Sequence, residues 1–440
     1  MLEFNPPAHG TWNIVHIGMN VPQSHQIYVC AKNCMRGVVL TAAEMNASDR
    51  FSFVILKEED IIKGTVEDIT IQGTIDVIRK LPKRPPVVCL FTVCTHHFLG
   101  CSYKRIYESL NEAFPDIDFI RGFMDPIMRK EGMSPDQKLR LNMYRVLEPL
   151  PVEPDKISLI GSNICISESS DLYKAADICG FRLTQMPALC TYEEYKNMGS
   201  SSCFIAVVPN GKKAVESTAS RLERKGVYMP LCFSYAENRA ENRELVKTLC
   251  GIKKDNLSLS EEKADADHII SQLEQYEEAR IDECEQAYER LKSVMGDTPI
   301  AIDHTAHPRP LGMARFLLEH GFNVKSIYVN AVSPEEEEDG AWLRENAPDI
   351  DYEMPIDPAM RVKERLYRDE KGNPVKTLAI GTQAAWFTGT QNFVNMVEGG
   401  DLQGIDGILR FAGMLEDAFL HEKDARNLIP RKGLGCESCI

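Results

Sequence analysis

Two cysteines four positions apart, Cys30 and Cys34, are the first residues of this sequence whose type and spacing suit metal chemistry. They follow the apolar run Ile27-Tyr28-Val29, which predicts a strand, and Gly37 permits a tight turn just beyond them. Thiolates hold iron–sulfur clusters, and two thiols at this spacing reach one ion across a helix face or around a turn. The alternative is a pair of core thiols. The pair indicates a cluster site that needs further ligands.

A second candidate segment places two histidines between two cysteines: Cys94, His96, His97 and Cys101. The apolar run 87–93 before it predicts a buried strand, so Cys94 stands at the carboxyl end of that strand. Zinc accepts mixed sulfur and nitrogen ligands, but adjacent histidines rarely both reach one ion. His96 has the alternative role of a helix cap. We predict Cys94 and Cys101 as metal ligands and His97 as a proton donor.

Asp303, His304, His307 and Arg309 form a third polar group, directly after the apolar run 300–302. Histidine titrates near neutral pH and passes protons, and arginine binds carboxylates. Stabilisation of the loop is the alternative role for all four. Asp303, His304 and His307 are therefore candidate catalytic residues, and the one that faces the substrate would donate the proton.

The remaining cysteines divide into a tail pair and single residues. Cys436 and Cys439 form a Cys-x-x-Cys pair, which could be a redox pair, ligands for a neighbouring subunit or an unliganded tail. Six cysteines lie singly in apolar or helical surroundings and are predicted to be buried and unreactive: Cys165, Cys179, Cys203, Cys232, Cys250 and Cys284.

Three segments that carry these residues repeat one pattern, in which a short apolar strand leads into a polar loop and then a helix. The strands are predicted at 87–93, 157–160 and 300–302, and Gly180 and Gly321 end the second and third helices. This repetition predicts an α/β protein with three Rossmann-like domains, each a parallel sheet flanked by helices. Ligand-binding loops are expected at the carboxyl ends of the strands.

Composition marks the boundaries between these domains. Prolines between positions 149 and 154 stiffen the first link. A polar helix that opens near Ser258, with Glu261 placed for a capping box, bridges the second and third domains. The acidic run 335–339 is predicted to be a solvated loop. The predicted domains are 1–155, 156–296 and 297–400, followed by a C-terminal helix and tail at 401–440.

Bulk properties exclude several classes of function. Fifty basic and 65 acidic residues give a net charge of −15, which disfavours nucleic-acid binding. No apolar run approaches the roughly 20 residues of a membrane helix, and no export signal is visible, so we expect a cytoplasmic protein. No Gly-x-x-x-x-Gly-Lys loop or Gly-x-Gly-x-x-Gly motif follows a strand. We therefore expect no nucleotide bound by this chain, and any ATP would be hydrolysed by another protein.

Taken in order, these segments resemble the component 1 family of nitrogenases and nitrogenase-like reductases over essentially the whole chain. The matching features are His16, the segments 30–39 and 60–64, Cys94, the segments 157–162 and 191–194, the helix before 299–301, and Gly404–Ile408.

The resemblance implies three α/β domains and a pair of homologous subunits, identical or different, that share an iron–sulfur cluster, either [4Fe–4S] or larger. It also implies that a separate ATP-hydrolysing iron protein delivers the electrons. Cys94 matches the family's cluster cysteine after this strand. Cys30 and Cys34 resemble the amino-terminal cluster cysteines, with altered order and spacing.

Two departures from the family's pattern bear on the reaction. The segment 206–210 has no cysteine where the nitrogenases bind their molybdenum–iron cofactor, and Gln403 stands at the corresponding histidine position. Nitrogen fixation is therefore not expected. The expected function is reduction of a small-molecule substrate in an interdomain cleft. The alternatives are a scaffold for metal-cofactor assembly, and a zinc-containing or metal-free α/β protein that binds a small ligand.

Overall fold

The computed structural model describes residues 12–125, 127–128, 132–256, 266–361, 367–368 and 371–424. In these ranges no helix is both long enough and apolar enough to cross a membrane. The predicted capping box at Ser258 and Glu261, and the cysteine pair Cys436 and Cys439, lie outside the described residues.

Strands and helices alternate along most of the described chain. The strands are β1 (Ser24–Ala31), β2 (Phe51–Leu56), β3 (Val87–Val93), β4 (Asp118–Met124), β5 (Glu153–Leu159), β6 (Arg182–Gln185), β7 (Ser201–Ala206), β8 (Lys225–Tyr228), β9 (Pro299–Asp303), β10 (Asn323–Tyr328), β11 (Asp351–Glu353), β12 (Leu378–Ile380) and β13 (Phe393–Val394). The helices are α1 (Ile14–Met19), α2 (Met35–Glu44), α3 (Glu58–Ile62), α4 (Val66–Lys80), α5 (Cys94–Phe98), α6 (Tyr103–Ala113), α7 (Pro135–Met143), α8 (Asp171–Ile178), α9 (Tyr192–Asn197), α10 (Pro209–Leu222), α11 (Tyr235–Asn256), α12 (Ala266–Met295), α13 (Pro310–Glu319), α14 (Glu337–Asn346), α15 (Thr382–Thr388) and α16 (Gly404–Leu420).

The described chain forms two compact units. The first unit contains Trp12–Cys165 and Thr184–Tyr228, and the second contains Ile166–Leu183 and the described residues from Met229 onward. The strand orders of the three sheets are β2-β1-β3-β4, β6-β5-β7-β8 and β11-β10-β9-β12-β13. Parallel sheets flanked by helices confirm the predicted α/β class. The three predicted domain boundaries stay a prediction.

The first sheet is built around two strands whose side chains are buried on both faces. All seven residues of β3 are buried, as are the first seven of the eight residues of β1. Tyr28 stacks on Phe91 with the ring centroids 4.3 Å apart, which joins the two strands across the core. Continuous apolar runs of this kind are typical of parallel strands covered on both faces. The predicted strand 87–93 is confirmed.

The carboxyl edge of the first sheet carries a short turn or helix after each of its three neighbouring strands. A 3₁₀ turn at Lys32–Cys34 follows β1, α3 follows β2, and α5 follows β3. Because β2, β1 and β3 are parallel neighbours, these segments lie at one edge of the sheet. We call this the cysteine edge, since it holds Cys34 and Cys94.

In the second unit, the predicted elements agree closely with the observed ones. The helix predicted to end at Gly321 is α13, and Gly321 has a φ of 76°, a left-handed conformation that favours glycine. The predicted bridging helix corresponds to α12, which buries Cys284, Tyr288 and Leu291 at helical spacing.

The acidic run 335–339 is not a solvated loop, and that prediction is wrong. The chain forms a 3₁₀ turn and then enters α14, with Glu336 and Asp339 buried. The Glu336 carboxylate accepts hydrogen bonds from the backbone N–H groups of Leu311 (2.6 Å) and Gly312 (3.3 Å) at the amino end of α13. Asp339 accepts one from the Arg309 guanidinium at 3.2 Å. These distant partners compensate the buried charge.

Glu241 on α11 belongs to the same acidic region and makes the stability of the protein depend on pH. Burial, assisted by the nearby Glu237 carboxylate, raises the pKa of Glu241 to about 8, although Arg309 acts in the opposite direction. One of its carboxylate oxygens has no hydrogen-bond partner among the described residues. Because the folded pKa exceeds the unfolded value, the stabilisation is complete at acidic pH and is lost as the pH rises through about 8.

Glu241→Gln is therefore expected to raise Tm most at pH values above about 8 and to change it little below the ordinary glutamate pKa of 4.5. At an unfolding entropy of roughly 2.1 cal/mol/K per residue, 1 kcal/mol corresponds to an increase of about 1 °C in a chain of 440 residues. Thermal unfolding at the two pH values tests this, with Glu244→Gln on the exposed face of α11 as the control. An equal change in Tm at both pH values would contradict the assignment.

Candidate functional site

Two of the four predicted ligand cysteines, Cys34 and Cys94, lie at the cysteine edge. Cys34 is exposed at the end of the 3₁₀ turn after β1 and forms the N-cap of α2. Cys94 is half-buried and begins α5, directly after β3. Because β1 and β3 are hydrogen-bonded neighbours, the structure brings both thiols to one edge of the sheet.

The other two predicted ligand cysteines differ in burial. Cys30 lies inside β1 with none of its surface exposed, and burial, together with nearby Cys34, raises its pKa to about 12. Cys101 is half-buried, like Cys94, just before α6, and burial followed by the Glu67 carboxylate raises its pKa. Their roles as ligands stay predictions.

Within the part of the chain that the structure describes, no three His, Cys, Asp or Glu side chains come together to hold a metal ion. Cys34 and Cys94 at one edge would supply two of the thiolates that an iron–sulfur cluster takes.

The adjacent histidines of α5 have different surroundings. His96 is fully buried, its Nδ1 accepts a hydrogen bond from the Val93 N–H (3.2 Å), and its Nε2 lies 2.9 Å from the Thr70 hydroxyl oxygen. Burial lowers the pKa of His96 to about 4, so the ring is neutral at pH 7. His96 therefore caps α5 and joins it to α4, which is the structural alternative considered for it.

His97 is one-third exposed, and a buried carboxylate orients it. Its Nδ1 lies 2.8 Å from Asp125 Oδ2, and the other oxygen of Asp125 accepts the Ile127 N–H at 3.0 Å. An imidazole held this way by a carboxylate is suited to proton transfer or to metal binding. Asp125 was not among the site residues predicted from the sequence. The available signal was its position directly after β4, at the same sheet edge as Cys94.

This difference predicts losses of stability of different size for two neighbouring substitutions. His96→Ala leaves the Val93 N–H unpaired in the core and removes a buried side chain, so it should lower the free energy of unfolding by about 2–4 kcal/mol. His97→Ala should lower it by less than about 1 kcal/mol, because the ring is partly exposed. Urea unfolding of both variants measures the difference, and equal losses would contradict the assignment.

In the second unit, Asp303 is engaged by the backbone around it. One carboxylate oxygen accepts hydrogen bonds from the Thr305 N–H (2.8 Å), the Ala306 N–H (3.2 Å) and the Thr305 hydroxyl, and the other accepts from the Ala384 N–H (2.8 Å). Gly381 packs against this carboxylate with a φ of 103°, where any side chain would collide with it. These contacts organise the loop and argue against the predicted role of proton donor.

The two histidines that follow differ in exposure. His307 is fully buried, its Nδ1 accepts the Arg309 N–H at 3.0 Å, and burial lowers its pKa to about 3. His304 is partly exposed after β9, with its Nε2 3.4 Å from the Asn330 amide nitrogen. The Arg309 side chain pairs with Glu237 and Asp339 instead of facing solvent. His304 is thus the most accessible member of this predicted group.

Five of the six cysteines that were predicted to be buried and unreactive are buried: Cys179, Cys203, Cys232, Cys250 and Cys284. Cys165 differs from the prediction because it is only half-buried.

Comparison with known proteins places this geometry in a known fold. No family model and no curated protein matches the sequence. The solved structure of nitrogenase Cp1 at pH 6.5 matches 96% of this chain and 94% of its own, with a TM-score of 0.62 and 12% identity. The structure of nitrogenase Cp1 at pH 5 matches 95% of this chain and 88% of its own, with a TM-score of 0.57 and 11% identity.

The chain has the nitrogenase component 1 fold. At this identity the likeness establishes the fold, and at that level it confirms the resemblance drawn from the sequence motifs.

Gln403 and the segment 206–210, the two places where the sequence departs from the nitrogenase pattern, have structural roles in this component 1 fold. Gln403 is buried as the N-cap of α16, and its side-chain oxygen accepts the Leu172 N–H at 2.9 Å. The segment 206–210 runs from the last residue of β7 through two buried valines into the start of α10. Neither position offers a cysteine or histidine ligand.

Proposed function

We propose that this chain is the iron–sulfur subunit of a nitrogenase-like reductase and that two copies of it share one cluster. The observation that supports this most directly is the pair of accessible thiols, Cys34 and Cys94, at one sheet edge of a chain with the component 1 fold. A [4Fe–4S] cluster takes four thiolates. A twofold pair of chains supplies two from each copy.

The number of thiols that each chain contributes determines the type of cluster. Cys34 and Cys94 from two chains make four ligands, the set of a [4Fe–4S] cluster. Including Cys30 would make six, which suits a larger cluster. The complete burial of Cys30 favours the smaller set, so we propose [4Fe–4S].

Exposed apolar side chains around the two thiols support association at this edge. Ile62 on α3 is 84% exposed and Phe98 on α5 is 72% exposed. Val39, Ile61 and Leu99 add smaller apolar surfaces on the same elements or next to them. Clustered exposed apolar residues mark interaction surfaces. A second copy is the occupant that both covers them and completes the ligand set, whereas a homologous subunit is the alternative partner.

When bound, the cluster would supply low-potential electrons for the reduction of a small molecule. The side chains of this chain would hold the thiolates, exclude water from the joined edges, and position a proton at His97, which Asp125 orients. His304 is the candidate proton donor in the second unit. The electrons would come from an ATP-hydrolysing iron protein, and a cytoplasmic location is part of this proposal.

A non-catalytic scaffold for cofactor assembly is the second candidate. The burial and internal hydrogen bonding of Asp303 and His307 favour it, because these predicted proton donors have no access to a ligand.

Anaerobic purification followed by iron, sulfide and mass analysis tests the proposal. We expect a dimer with about four iron atoms per pair of chains. Reoxidation of the reduced cluster on addition of substrate would identify a reductase, whereas transfer of the bound metal to an acceptor protein would identify a scaffold. A monomer without iron would refute both.

A further inference from the structure

The amino edge of the first sheet, opposite the cysteine edge, contains a surface cavity of about 660 Å³. All four strands of the sheet contribute to its lining through the residues at or before their amino ends. Ser24 and His25 begin β1, Arg50 precedes β2, Lys83 to Pro86 precede β3, and Asp116 precedes β4. A cavity of this size accommodates a small organic molecule.

The charge of this lining is opposite to that of the whole chain. Arg50, Lys83 and Arg84 line the cavity against one carboxylate, Asp116, in a protein of net charge −15. Asp116 is already paired with Arg84 at 3.0 Å. Among the described residues, no carboxylate lies within ion-pair distance of Arg50 or Lys83. Arg50 and Lys83 therefore make no ion pair among the described residues, although the nearby Asp49 carboxylate raises the pKa of Arg50.

Arg50 is held in a fixed position by hydrogen bonds to uncharged groups. Its Nε donates to the Ser24 carbonyl (3.0 Å), and its Nη2 donates to the Val21 carbonyl (3.0 Å) and the Ser24 hydroxyl (2.8 Å). Its Nη1 has no acceptor among the described residues. Burial lowers the pKa of Arg50, and the Cys89 thiol and the Asp49 carboxylate act in the opposite direction. A guanidinium fixed in this way is pre-organised for an anionic ligand.

We propose that this cavity binds a small organic polyanion, a phosphate or a polycarboxylate, between Arg50 and Lys83. Arg50 supplies a fixed donor, and Lys83 supplies a mobile ammonium that closes on the ligand. The exposed position of Lys83 and the adjacent prolines Pro85 and Pro86 leave room for an apolar body next to the charged group. The cavity lies at the opposite sheet edge from Cys34 and Cys94, so this ligand is distinct from the proposed substrate.

Calorimetric titration of the full chain with pyrophosphate and with citrate at low and high salt tests this proposal. We expect at least one probe to bind with a Kd of about 1 mM or tighter, more weakly at high salt. Tighter binding of pyrophosphate identifies a phosphate ligand, and tighter binding of citrate identifies a polycarboxylate.

Lys83→Ala should weaken binding about tenfold, the size expected for loss of one charged contact. Lys104→Ala, which removes a lysine with an 83% exposed side chain on α6, is the matched control and should bind as the unmodified protein does. Both lysines are exposed, so both variants should fold, which thermal unfolding verifies. Equal affinities of the two variants, or a Kd above about 10 mM for both probes, would overturn the proposal.

Discussion

Cys34→Ala and Cys94→Ala are each expected to abolish the cluster, with loss of its iron and its visible absorption. Each substitution removes two of the four proposed ligands from a symmetric pair, because both copies carry the change. Two remaining thiolates do not hold a four-iron cluster. Metal binding and assembly are linked, so the variants should also dissociate at concentrations at which the unmodified protein is paired. Iron analysis and light scattering on anaerobically purified protein measure both effects.

Buried cysteines provide the controls for this experiment. Cys203→Ala in β7 and Cys284→Ala in α12 remove buried thiols that lie outside the first sheet, and both should retain the cluster. Cys30→Ala decides between the two ligand sets. Retention of about four iron atoms per pair supports the set of Cys34 and Cys94, and loss of the cluster restores Cys30 as a ligand. A Cys94→Ala variant with unchanged iron and spectrum would refute the site.

Much of the fold could be predicted because its strands are continuous apolar runs. The strand Val87–Val93 matches its predicted range. A strand covered on both faces is a continuous apolar run, so the local sequence alone identifies it. The acidic run 335–339 could not be predicted in the same way. Its burial depends on the amino end of α13 and on Arg309, which lie about 25–30 positions away in the sequence.

In the candidate site, too, the roles of single side chains depend on residues that are distant in the sequence. His96 and His97 are neighbours with the same chemistry, and the sequence does not distinguish their roles. Thr70, 26 positions before His96, fixes one ring in the core, and Asp125, 28 positions after His97, orients the other near the surface. Cys30 and Cys34 differ similarly, because the chain leaves β1 for an exposed turn between them.

Charged substitutions in the apolar surface of the cysteine edge are expected to weaken the pairing of two chains strongly. Phe98→Asp and Ile62→Asp place a charge where the proposed second copy would bury an apolar side chain. Burial of one such side chain contributes about 1.5–3 kcal/mol, and each substitution changes two positions in a symmetric pair. The Kd of the pair should therefore rise by about a hundredfold or more, with loss of iron as a consequence. Sedimentation and iron analysis over a range of protein concentrations measure the two changes.

Ile356→Asp is the matched control, because Ile356 is 70% exposed but lies after β11 in the second unit. It adds the same charge at a site with the same exposure and should leave both the Kd and the iron content unchanged. Since Ile62 and Phe98 are mostly exposed in the single chain, their substitution should not lower the stability of the fold. Loss of pairing with unchanged unfolding would therefore locate the interface at the cysteine edge. If Phe98→Asp and Ile62→Asp pair as tightly as Ile356→Asp, the two copies do not meet at this edge, and Cys34 and Cys94 would need a different partner.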